Sequence, residues 1–148
     1  MTARSFVRST LARLLVGSLA VAVLAGAVGC AESPEIAKQR HLKNGEAHLK
    51  AGRYGEAIIE LRNALQKDPD LLPALHALGR AYAAKAWHYD AIRELSRAKK
   101  KRPDNPAILV DLGRSLAEVG AWEEVAETAD TILLREPSNP DGLYLRVV

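Results

Sequence analysis

Cysteine, aromatic side chains, long apolar runs and acid near the start are all scarce in this 148-residue chain. Cys30 is the only cysteine, which excludes an intramolecular disulfide. Aromatics are 5% of the residues, and Trp87, Trp122 and the tyrosines are expected at packing or interhelix places, which argues against a base-stacking platform. An uncharged, mostly apolar run covers residues 14–28. As a helix it would be about 22 Å long, short of a ~30 Å bilayer core. There is no G-x-S-x-G, no H-E-x-x-H and no phosphate-cradling glycine loop. Ser33, Ser96, Ser115 and Ser138 lack a triad-like setting. No catalytic residue, metal ligand or cofactor is therefore expected.

The missing acid is equally informative. Residues 1–29 hold Arg4, Arg8 and Arg13 and no carboxylate, so from Cys30 onward 18 bases face 18 acids. The formal charge of +3 and the pI near 9.1 belong to the leading segment, and the rest gives no electrostatic sign of a nucleic-acid partner. A basic start, a short apolar run and small residues at its end describe an export signal over 1–29. "AVGC" ends that segment and resembles a bacterial lipobox with Cys30 as its +1 residue. The resemblance implies cleavage before Cys30 and acylation of its thiol, with 30–37 as a short tether. An uncleaved signal anchor is the alternative reading. Either one puts the folded part outside the cytoplasm. Ala31 stands where aspartate would imply inner-membrane retention, so the outer membrane is the expected site in a Gram-negative source.

Beyond Ser33 the chain repeats. "YGEAIIELRNALQKDP", "HYDAIRELSRAKKKRP" and "WEEVAETADTILLREP" begin at Tyr54, His88 and Trp122, spaced 34 apart. The same step links Gly45, Gly79 and Gly113, then Ala57, Ala91 and Val125, then Pro69, Pro103 and Pro137. Each unit carries two stretches with apolar groups at i, i+3, i+4 and i+7, which predicts two amphipathic helices. The prolines end the second helix, and Asp or Asn after them can cap the next. Gly52 and Gly120 suit a left-handed turn after the first helix. A mid-helix glycine costs about 1 kcal/mol against alanine, so Gly45, Gly79 and Gly113 predict close helix crossings. The period and the pattern Leu75, Leu78-Gly79, Tyr82, Ala91, Leu95, Ala98 and Pro103 resemble the tetratricopeptide (TPR) family. That resemblance implies an all-α helix-turn-helix solenoid with units at 38–71, 72–105 and 106–139 and a partial fourth at 140–148.

By the same resemblance, the first helices line a concave groove that binds a protein partner. Its polar groove positions here are Gln39, Lys43, Glu46 and Lys50, then His76 and Arg80, then Asp111, Arg114 and Glu118. The family's carboxylate clamp for chaperone C-termini is not reproduced, with Pro73 and Ala77 at two of the groove places.

Charge is uneven. Unit one has seven bases and five acids, unit two eight and three, unit three two and seven. Lys99, Lys100, Lys101 and Arg102 read first as cations complementing a helix C-terminus, and second as a patch for anionic glycan or lipid. His41 and His48 lie at packing places too far apart for a metal pair, and His88 replaces an aromatic. In the partial fourth unit Arg146 takes a place that usually holds leucine, which suggests an open end suited to self-association or continuation.

The chain most resembles bacterial TPR lipoproteins, and its first repeats look like those accompanying exosortase (PEP-CTERM) and exopolysaccharide systems. The expectation is a non-catalytic, lipid-anchored, periplasm-facing adaptor in envelope assembly or export. A pilus or outer-membrane-assembly lipoprotein and the basic-patch binder are the alternatives.

Overall fold

A computed structural model describes residues 32–148, so Cys30 and the 1–29 segment lie outside the described residues. Among the described residues seven helices follow one another: α1 (Pro34–Lys50), α2 (Tyr54–Lys67), α3 (Leu72–Ala84), α4 (His88–Lys101), α5 (Pro106–Glu118), α6 (Trp122–Arg135) and α7 (Pro140–Val147). The starts of α2, α4 and α6 repeat the 34-residue step, as do those of α3, α5 and α7. Described residues contain no strand.

Local chemistry sets the boundaries. Asn105 and Asn139 cap α5 and α7, their side-chain oxygens accepting from Ile108 N at 3.3 Å and Gly142 N at 3.0 Å. The matching place before α3 is Leu71, which offers no side-chain cap, and Asp70 instead pairs with Lys101. Gly52 and Gly120 turn the chain with φ of 72° and 74°. The corresponding Ala86 takes φ 57°, where a Cβ crowds the following carbonyl. Ala86→Gly should therefore raise stability by about 0.5–1 kcal/mol, the steric relief exceeding glycine's greater freedom in the unfolded chain. Equal or lower urea midpoints for the variant would refute this.

Glycines at the crossings do what their spacing predicts. A Cβ on Gly45 would stand 2.6 Å from Leu61 Cγ, and one on Gly79 2.5 Å from Leu95 Cγ. In the third pair Ala129 replaces the leucine, and Leu145 of α7 reaches over Gly113 instead, 2.6 Å from a Cβ built there. Leu61, Leu75, Leu95 and Ile132 are fully buried or nearly so, and among the described residues the core runs from Ala37 to Leu145. Residues 34–148 form a compact unit of their own.

Each helix packs on the next, and α1, α3, α5 and α7 also approach one another in succession. The backbones of α2, α4 and α6 stay apart. The stack thus curves with first helices inside and second helices outside.

Two expectations about side chains need correction. Among the aromatics of the described residues only Tyr82 is buried; Trp87 and Trp122 are half exposed, and Tyr89 and Tyr144 are largely exposed. Trp87, Tyr89 and Trp122 sit on outer turns and second-helix faces whose cores are already filled by leucine and alanine, and Tyr144 lies on the terminal helix α7. His41 and His48 make polar contacts rather than apolar packing: His41 Nδ1 lies 2.7 Å from Glu60 Oε2, and Arg53 Nε donates to His48 Nδ1 at 3.0 Å.

Candidate binding groove

The inner face is built by repetition. Residues 34 apart on α1, α3 and α5 present the same helical face, so Glu46, Arg80 and Arg114 follow one another at this spacing along the trough. Between α1 and α3 lies an open cleft of about 610 Å³ lined by Glu46, Lys50, Tyr54, His76 and Arg80. His76 and Arg80 also line a second cleft, of about 400 Å³, with Val110, Asp111 and Asp141. Arg80 and Asp111 continue into a third, of about 240 Å³, with Arg114 and Glu118. Shared walls make these one continuous trough.

Asp111 organises its centre. One carboxylate oxygen lies 2.7 Å from His76 Nε2 and 3.7 Å from Arg80 Nε, which joins α3 to α5. Arg114 Nη2 donates to Asp141 Oδ1 at 2.7 Å, which joins α5 to α7. The arginine side chains nevertheless stay more than half exposed. Their guanidiniums are therefore oriented by carboxylates yet retain donors that face the trough, an arrangement suited to carboxylates or backbone carbonyls of an incoming chain.

Among the groove positions, Glu46, Lys50, His76, Arg80, Asp111, Arg114 and Glu118 are brought together. Lys43 is exposed on α1 and lines none of the three clefts, and Gln39 donates to Glu35 at the surface. Asp141 of α7, just beyond the three full repeats, and Asn139 at the N-cap of α7 complete the trough. His88 also lines it, with a buried Nδ1 that has no hydrogen-bond partner among the described residues. Substitution for an aromatic was the signal that marked His88. Ser115 is buried, its hydroxyl donating to the Asp111 carbonyl at 2.9 Å. Described residues hold no His, Cys, Asp and Glu grouping suited to a metal ion.

The basic run lies elsewhere, at the end of α4. Lys101 pairs with Asp70, and Lys99 Nζ lies 3.6 Å from Glu127. Lys100 and Arg102 make no ion pair among the described residues. Half of the run is thus spent on ties between neighbouring second-helix segments.

Neither a family model nor a characterised protein sequence matches the chain. Solved structures do. The Arabidopsis OM64 TPR domain superposes with a TM-score of 0.71 at 15% identity, over 78% of this chain and 95% of that one. The second TPR domain of human RPAP3, solved in complex with an HSP70 peptide, gives 0.71 at 18% identity over 78% and 96%. The Sgt2 TPR domain from Aspergillus fumigatus gives 0.67 at 19% identity over 79% and 78%. Together with the 34-residue step, the glycine crossings and the inner row of first helices, these likenesses establish the architecture: residues 34–148 fold as an all-α TPR solenoid.

Proposed function

We propose that the chain is a lipid-anchored adaptor whose trough binds an extended or helical segment of a protein partner during cell-envelope assembly or export. The observation that carries the binding role is the continuous inner trough in which Asp111 holds His76 and Arg80 while the arginine leaves donors free. The human RPAP3 neighbour, solved in complex with an HSP70 peptide, supports a peptide-binding role for this fold. The partner's chemistry differs from a chaperone tail, because Pro73 and Ala77 stand at two of the clamp places. Mixed charge along the trough, with Glu46, Asp141 and Glu118 beside Lys50, Arg80 and Arg114, suits a segment carrying both signs. The lipobox-like "AVGC" supports an acyl anchor at Cys30 and a periplasm-facing position. Likeness of the repeats to exosortase and exopolysaccharide lipoproteins supports that pathway over pilus assembly. Ties from Lys99 and Lys101 to acids weaken the glycan reading of the basic run.

A photocrosslinker at position 80 or 114 of the full chain in its native membrane tests this. Both positions should capture the same partner, and Arg80→Glu with Arg114→Glu should weaken that partner's binding by about tenfold or more, ~1.4 kcal/mol. Capture only from outward positions such as 127 would refute the trough assignment. In the same cells Cys30→Ala should abolish incorporation of a labelled fatty acid; retained label would remove the anchor from the reading.

A further inference from the structure

The outer face carries a second cleft, of about 620 Å³, between α2 and α4. Leu78 and Tyr82 floor it, Arg62, Arg93 and Arg97 wall it, and half-exposed Trp87 closes one end with its ring 5.9 Å from that of Tyr82. Glu94, only 5% exposed, fixes two of the arginines: its carboxylate accepts from Arg93 Nε at 2.9 Å and from Arg97 Nη1 at 2.6 Å. Arg97 Nη2 also donates to the Pro69 carbonyl at 2.6 Å, and Arg93 Nη1 to Asp90 at 2.7 Å. Arg62 makes no ion pair among the described residues. Three cations thus face two acids, Asp90 and Glu94, and unpaired Lys100 lies one turn beyond Arg97. The cleft is preorganised and has a positive charge to spare.

The complement lies on the same chain. Along α6, Glu123, Glu127, Asp130 and Leu134 recur at i, i+4, i+7 and i+11, all on the exposed face, with Leu134 86% exposed. Glu123 has no ion pair among the described residues, and the pairs of Glu127 and Asp130 are long, at 3.6 and 3.4 Å. We propose that two copies associate back to back about a two-fold axis, the acidic row of each α6 seated on the α2–α4 cleft of the other. The geometry permits it. α4 and α6 run in the same direction, being alternate second helices joined through α5. A two-fold axis parallel to them turns outer face to outer face and reverses the order of the pairs. The acidic third pair of one copy then meets the basic second pair of its mate, at both ends of one closed interface. Glu127 and Asp130, about one turn apart, match the one-turn spacing of Arg93 and Arg97. Both trough faces stay open in such a dimer.

Sedimentation equilibrium on residues 31–148, which hold the compact unit 34–148, tests the pairing. At low salt the dimer should predominate, and about 0.5 M salt should raise its dissociation constant about tenfold or more, because exposed charges are screened. Arg62→Glu with Lys100→Glu reverses the surplus in the cleft without touching the Glu94 ties, and should give a helical monomer. Glu123→Lys with Glu127→Lys should do the same from the other side. An equimolar mixture of the two variants should dimerise, since each reversed cleft then meets a reversed row. A monomeric wild type at low salt overturns the proposal, including one that binds acidic peptides from other proteins. Variants that dimerise like the wild type, or a mixture that stays monomeric, overturn it as well.

Discussion

Leu95→Ala should lower the stability of residues 31–148 by about 2–5 kcal/mol, and Gly79→Ala by about 1–3 kcal/mol, yet the double variant should lose less than the sum. Leu95 is fully buried, so its truncation removes apolar contact and leaves a void. Alanine at 79 favours helix by about 1 kcal/mol over glycine, but its Cβ would stand 2.5 Å from Leu95 Cγ and 2.8 Å from Cδ2. The crossing has to spread, and overpacking wins. Once Leu95 is cut back to alanine, those atoms are gone and the new methyl enters the space. Coupling of about 0.5–3 kcal/mol between the two changes is expected from a double-mutant cycle in urea. Simple additivity would show that Gly79 is there for some reason other than the approach of Leu95.

The second large effect belongs to Leu145. It is 2% exposed and lies over Gly113, where the third pair has Ala129 in place of the leucine found at 61 and 95. Leu145→Ala should cost about 2–5 kcal/mol locally, because an eight-residue helix cannot hold itself together in water once its anchor is gone. Amides of α7 should lose protection in hydrogen exchange while those of α3 and α4 keep theirs. Uniform loss across the chain would show that α7 melts only with the whole. The Arg114–Asp141 bond at the trough should disappear together with α7, linking this core residue to the binding surface.

Much of this architecture could be read before any coordinates. The 34-residue step located all the second helices, because Pro69, Pro103 and Pro137 follow the ends of α2, α4 and α6 closely. The glycines at 45, 79 and 113 announced crossings that the leucines at 61 and 95 then fill. Leu145 over Gly113 was not legible, since it depends on a missing side chain at 129 being answered from a different helix. The uncapped start of α3 was hidden in the same way, Leu71 being apolar where its counterparts are asparagine. The trough centre needed α3 and α5 side by side before His76 and Arg80 could share one carboxylate oxygen of Asp111. The outer cleft was missed altogether: Arg62 and Arg97 belong to different repeats, and the buried Glu94 between the arginines looks like any helical glutamate in sequence.

Helices more than two places apart never meet through their backbones in this stack. Mechanically, such a molecule behaves as a short leaf spring. No central block resists bending, so a small rotation at each of the successive joints adds up along its length. The distance between Lys50 and Glu118 can then change without any one joint leaving its packed state, and an incoming segment can be gripped by flexure of the entire strip.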